Sequence, residues 1–154
     1  MSEQIFLITT YIVWVIVFLI VPLLLYCRNR NRLPTYFISL AFVLLITYGL
    51  KYGLGIPRPE DAAWEMVTPR FPSGHTSMAF TPILFFKSLK YKLSLSLYGI
   101  MVAYLRIHFN VHVPVDILVS VSIAVFTSLF FLGFEKNIIQ KLSPLIKRIL
   151  DTKV

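Results

Sequence analysis

The sequence is short of what a soluble domain needs on its surface. Only 14% of its 154 residues are charged, and 7 acidic residues stand against 15 Lys and Arg. With 57% hydrophobic residues and a mean hydropathy of +0.77, the chain reads as one polytopic membrane domain. Its single cysteine, Cys27, excludes an intramolecular disulfide and any cysteine-based zinc site, and reads as a small apolar residue near a helix end. The net charge of +8 lacks the clustering with aromatics that nucleic acid binding requires, because the basic residues are scattered between apolar runs. Internal repeats, low-complexity tracts and long linkers are absent, so no second domain is expected. The first 27 residues have no basic leader, carry Glu3 instead and show no small-residue cleavage site. They are expected to remain as a permanent span.

Long apolar runs are what the sequence has in abundance. Ile5 to Tyr26 contains no charge, and a helix of that length reaches about 33 Å, enough to cross a bilayer core. Arg28, Arg30 and Arg32 form a polar loop, Pro34 opens a second run to about Leu50, and Lys51 is expected to end it. Residues 53 to 72 hold two glycines and four prolines, which predicts a loop with a short turn around Asp61 to Met66. Trp64 and Phe71 are placed to rest at the headgroups. A third run starts at Ser73 and reaches Phe86, and a fourth runs from Leu93 to about Leu105. Both are short for a ~30 Å core, so extension into the flanking loops or snorkelling lysines must help. A fifth run, Pro114 to about Phe134, carries only Asp116 as a charge. The expected fold is therefore all-α, a transmembrane bundle of about five spans formed by residues 1–134. Residues 135–154 follow as a basic amphipathic interfacial helix, kinked at Pro144.

Charge asymmetry orients this bundle. The loops at 28–32 and 87–92 and the tail hold Arg28, Arg30, Arg32, Lys87, Lys90, Lys92, Lys136, Lys141, Lys147, Arg148 and Lys153, against Lys51, Arg58, Arg70 and Arg106 at the opposite ends. The first group is expected to be cytoplasmic. The loop 53–72 and the island 106–116 then converge on the outer side, with the N-terminus outside and the C-terminus in the cytoplasm.

Three segments meet there. Lys51 and Arg58 come first, with Pro57 and Pro59 stiffening the backbone around an arginine suited to bidentate phosphate binding. Pro72-Ser73-Gly74-His75 follows, in which Ser73 is a plausible N-cap and the amides of Gly74 and His75 point at an anion. Arg106, His112 and Asp116 come last. The spacing of His112 and Asp116 brings them together across a first helical turn, where a carboxylate on one imidazole nitrogen leaves the other free as a nucleophile.

Taken together, Lys51 with Arg58-Pro59, Pro72-Ser73-Gly74-His75, and Arg106 followed by His112 and Asp116 resemble the three-part signature of the type 2 phosphatidic acid phosphatase family. The resemblance implies a metal-independent, cofactor-free lipid phosphatase. In it Lys51, Arg58 and Arg106 hold the phosphoryl oxygens with Ser73 and the Gly74 amide. His112 attacks phosphorus to form a phosphohistidine, Asp116 orients it, and His75 protonates the leaving oxygen. The sequence departs from the family pattern at Leu105, where a serine is common, at Asn110, where a glycine is common, and at His108, where an aromatic is common. Asn110 tolerates a left-handed backbone and can serve the same turn. Arg70, Glu60, Asp61 and Glu65 read as a solvated loop face, and His108 as interfacial packing.

The expected substrate is a lipid phosphate or diphosphate met at the outer leaflet of the cell membrane, with a polyprenyl diphosphate ahead of phosphatidylglycerophosphate and phosphatidic acid. The rival classes are a non-catalytic lipid-phosphate-binding protein, a vanadate-dependent haloperoxidase and a small-solute transporter. The last is disfavoured because the ionisable residues gather at one face rather than at mid-bilayer. Oligomeric state is left open.

Overall fold

The computed structural model describes residues 2–58 and 68–151, and among these every regular element is a helix. The expectations for Pro59, Glu60, Asp61, Trp64, Glu65 and the turn near Met66 fall outside the described residues. The helices are α1 (Ser2–Val15), α2 (Val21–Asn29), α3 (Leu33–Leu54), α4 (Gly74–Phe80), α5 (Leu89–His108), α6 (Pro114–Gly133) and α7 (Glu135–Asp151).

Among the described residues two stretches are long and apolar enough to cross a membrane, Leu7–Leu54 and Pro114–Gly133. The first is a hairpin. The Tyr36 hydroxyl donates to the Val17 carbonyl at 2.8 Å, whereas a continuous helix would hold residues so spaced about 28 Å apart. Asn29, at φ −144° and ψ 49°, breaks the helix, and a tight turn at Arg30–Arg32 leads into Pro34 at the start of α3. The same hydrogen bond answers a local defect. Between α1 and α2 the helix widens to a π turn, Ile16–Ile20, in which the Val21 amide bonds Ile16. The next bond in that register would join residue 22 to Val17, but Pro22 has no N–H. Tyr36 supplies the missing donor, so Tyr36→Phe is expected to cost about 1 to 2 kcal/mol. A thermal melt of the purified protein checks this, and an unshifted midpoint refutes it.

The surface is as apolar as the interior, unlike that of a soluble protein. Val13, Val17, Val21 and Leu25, each four residues on, form one buried stripe, while Leu97, Leu118 and Phe126 remain about two-thirds exposed or more. Thr35, Ser39, Thr47, Ser77, Thr81, Ser120 and Ser128 are completely buried. Several of them join elements to one another: Thr47 to Ser77 at 3.2 Å, Ser39 to Ser128 at 3.5 Å, and Ser128 to the Thr81 carbonyl at 3.2 Å. Apolar side chains facing out and small hydroxyls gluing helices within are the arrangement a bilayer favours. This is a membrane protein fold.

Several boundaries differ from expectation. Lys51 does not end the second apolar helix. α3 runs on to Leu54, where Gly55, at φ 59°, returns its amide to the Lys51 carbonyl. The third run splits, because Pro82 cannot continue the α-helical ladder and the chain tightens into a 3-10 turn over Thr81–Phe85. The fourth helix extends at both ends to Leu89 and His108, about 30 Å in all. It lies close on α4, since a Cβ at Gly99 would come within 2.8 Å of the Phe80 ring. α7 passes through Pro144 as one helix.

Candidate active site

At the end of α3 away from the Arg30–Arg32 turn, a cavity of about 190 Å³ opens among α3, α4, α5 and the 109–113 turn. Lys51, Arg58, Gly74, His75, Arg106 and His112 line it, together with Tyr48, Thr68 and Val111. Six of the eight residues singled out from sequence therefore share one cavity. The other two, Ser73 and Asp116, stand behind its wall.

Each side chain is placed by a nameable interaction. Lys51 is nearly buried at the end of α3, and its Nζ donates to the Pro69 and Arg70 carbonyls at 2.7 and 3.1 Å. Arg58 donates from Nε to the Thr68 carbonyl at 3.0 Å, from Nη2 to Thr68 Oγ1 at 3.3 Å, and from Nη1 to the Val111 carbonyl at 2.7 Å. It thus ties the loop before α4 to the turn after α5. These bonds use two of the three donors of Lys51 and three of the five of Arg58, leaving the rest for an anion. Arg106, 2% exposed, donates from Nη2 to Thr10 of α1 at 3.1 Å.

Ser73 caps α4 as expected, its Oγ accepting from the Thr76 amide at 3.4 Å. Its hydroxyl is also paired with Thr76 Oγ1 at 2.9 Å, and its amide donates to Ser120 Oγ at 2.7 Å. Gly74 follows on the cavity wall. A Cβ there would meet the Tyr48 hydroxyl at 3.7 Å and Thr47 Cγ2 at 3.9 Å, ordinary van der Waals contacts, so packing within the protein does not demand a glycine. His75 has its Nε2 buried without a hydrogen-bond partner among the described residues and meets Trp14 of α1 edge-on, with ring centroids 6.3 Å apart.

Asn110 turns the chain at φ 54°, the left-handed backbone expected of it. His112 follows, its amide held by the Arg106 carbonyl at 3.2 Å. Its Nδ1 lies 3.2 Å from Asp116 Oδ2, which also accepts the Val113 amide at 3.1 Å. An ionised carboxylate only accepts, so Nδ1 carries the proton and Nε2 keeps its lone pair. Burial, with the charges of Arg58 and Lys51, holds the His112 ring down at about 4 against the opposing pull of Asp116.

Arg70 corrects the sequence reading. Instead of a solvated loop residue it is a partner of the fully buried Asp116, with Nε 3.1 Å from Oδ2. Ser120 was also missed. It donates to the Asp116 carbonyl at 2.6 Å while accepting from Ser73, and so fastens α6 to the start of α4. Its place four residues after Asp116, a hydroxyl in an apolar run, was the available signal. His108 is exposed and stacked on Tyr104 at 5.6 Å, in keeping with a packing role. Among the described residues no three His, Cys, Asp or Glu side chains are grouped closely enough to hold a metal ion.

A model of the PAP2 superfamily matches residues 32–140, which include every residue of this cavity. The chain belongs to the PAP2 superfamily. Membership supports the coarse activity of a lipid phosphatase. The fold is similar to the crystal structure of Aquifex aeolicus LpxE, with a TM-score of 0.71 over 82% of this chain and 84% of that one at 23% identity. At that identity the likeness speaks for the fold alone. No curated protein matches this chain. α1 and α2 precede the part matched to the PAP2 superfamily, yet Thr10 and Trp14 of α1 reach Arg106 and His75, so the first helix packs against the site itself.

Proposed function

We propose that this chain removes the terminal phosphate of a polyprenyl diphosphate through a phosphohistidine at His112. The observation that carries the reading is a buried His112–Asp116 pair at the wall of a cavity that also presents Lys51, Arg58 and Arg106. His112 Nε2 attacks phosphorus as the bond to the leaving oxygen breaks, and His75 gives that oxygen a proton. A water molecule, deprotonated by His75, then attacks the same phosphorus, the P–N bond breaks and inorganic phosphate leaves. The three cations and the Gly74 amide hold the phosphoryl oxygens, and Ser73 steadies the turn that presents that amide. Phosphoryl transfer is dominated by positioning and charge, so these cations take the place of a magnesium ion.

A cavity of about 190 Å³ is smaller than pockets that enclose whole drug-sized ligands. It takes the phosphate end and leaves the hydrocarbon outside. Arg106 supports a route for that chain, because it also lines an apolar crevice between α1 and α5 with Ile12, Met101, Val102 and Leu105. Leu105, where the family often has serine, thus stands on the side of the hydrocarbon. In this reading α1 with α2, α3, α4 with its following turn, α5 and α6 are five spans. The basic Arg28–Arg32 turn is cytoplasmic, and the site opens at the outer leaflet.

Phosphate release in detergent and excess EDTA tests the reading, with polyprenyl diphosphate, phosphatidylglycerophosphate and phosphatidic acid compared. The first is expected to be fastest. Preference for either of the others overturns the substrate, and no release from any of them leaves a lipid-binding protein. Acid dependence follows from His112. Its lone pair is available above its pKa and lost as pH falls through about 4, so single-turnover phosphorylation of the enzyme should persist at pH 5 to 6, below the usual imidazole value of about 6.5. A loss centred at 6.5 contradicts the buried, cation-flanked nucleophile.

A further inference from the structure

The end of the bundle opposite the candidate active-site cavity holds a second concavity of about 520 Å³, between the end of α2, the α2–α3 turn, Lys87 in the segment before α5, and the start of α7. α3 separates the two, and its 22 residues span about 33 Å. Arg28, Arg30, Arg32, Lys87 and Lys136 line the concavity against one carboxylate, Glu135. Arg32 is already engaged, since it forms an ion pair with Glu135, Nε lying 3.3 Å from Oε1, and its Nη1 donates to the Leu84 and Phe85 carbonyls. Arg30 lies over the Tyr26 ring at 5.2 Å. Arg28, Lys87 and Lys136 have no side-chain partner among the described residues. So many cations around one hollow beside low-dielectric protein repel one another unless an anion enters.

The hollow continues into a neighbouring trough of about 300 Å³. The two share Tyr26, Arg30, Asn31 and Ile139, and Leu33, Pro34 and Leu142 complete the trough with apolar surface. A cationic hollow that opens into an apolar trough has the form of a head-and-tail site. We propose that it binds an anionic phospholipid, with the headgroup phosphate among Arg28, Lys87 and Lys136 and the first part of an acyl chain along Leu33, Ile139 and Leu142. A free phosphate would satisfy the cations and leave the trough uncovered. Lipid in this position also holds α7 to the bundle beside the Arg32–Glu135 pair. The site is independent of the chemistry proposed above.

Native mass spectrometry of the full chain in detergent, titrated with phosphatidylglycerol or phosphatidylcholine, tests it. The parent is expected to retain phosphatidylglycerol, and the triple variant Arg28→Gln, Lys87→Gln, Lys136→Gln to retain it at least about tenfold less. Retention of phosphatidylcholine should be weak in both. Arg58→Gln, at the other cavity, should retain phosphatidylglycerol like the parent, which separates this site from the catalytic one. Phosphatase activity of the triple variant should be intact, showing that it folds. Equal retention of phosphatidylglycerol by parent and triple variant overturns the proposal. So does displacement of the lipid by millimolar inorganic phosphate, which would mark a site for a free anion.

Discussion

His112→Ala is expected to lower phosphate release by at least about 10⁴-fold, because it removes the atom proposed to take the phosphoryl group and leaves only direct attack by water in the same charged cavity. The fold should survive. Asp116 keeps the Val113 amide and Arg70 as partners when the imidazole is gone, so its carboxylate is not stranded. The measurement is rapid mixing with a lipid phosphate labelled on its terminal phosphorus, followed by an alkaline quench that preserves a phosphorus–nitrogen bond. Label should stay on the parent protein and be absent from the variant. If His112→Ala turns over like the parent, or if label remains on the variant, the assignment of the nucleophile is wrong.

The second large effect is at Asp116, where Ala and Asn should differ for a geometric reason. Three groups face the carboxylate at Oδ2: the His112 Nδ1–H, the Val113 amide and the Arg70 guanidinium. The first two donate hydrogen bonds and the third is an ion-pair contact, whereas Oδ1 is buried without a hydrogen-bond partner among the described residues. An asparagine must therefore turn its oxygen to the Oδ2 position and its amide nitrogen to the other. That keeps the reactive tautomer of His112 and removes only the negative charge, for an expected loss of about 10²-fold. An inverted amide would force the wrong tautomer, which in a serine protease triad costs about 10⁴-fold. Asp116→Ala leaves the ring without an orienting partner and should fall toward that larger loss. Steady-state kcat for the two variants decides the matter. Equal losses near the larger figure would show that the amide inverts, and equal small losses that Asp116 does not orient the nucleophile.

Sequence analysis singled out the residues that line the cavity more readily than those that support it. Six of its eight residues meet in one cavity, and they were legible because cations, histidines and a glycine two residues after a proline are conspicuous in a chain that is otherwise apolar. Arg70 escaped because nothing in a loop of mixed charge distinguishes a residue that folds back onto a buried carboxylate from one that faces water. The buried hydroxyls escaped for a related reason. Thr47, Ser77, Thr81 and Ser128 are individually ordinary, and only the packing of α3, α4 and α6 turns them into contacts.

The helical class, the membrane setting, the three clusters and the tolerance of Asn110 for a left-handed turn were determined by sequence alone, since each rests on local composition or on one residue's backbone preference. Tertiary structure decided what depends on distant partners. Tyr36 repairs the defect left by Pro22 across a reversal of the chain, Thr10 of the first helix reaches Arg106, Ser120 fastens α6 to α4, and a basic hollow forms where the α2–α3 turn meets α7. Such contacts join residues far apart in the chain. They are set by how helices pack, and no local pattern encodes that packing.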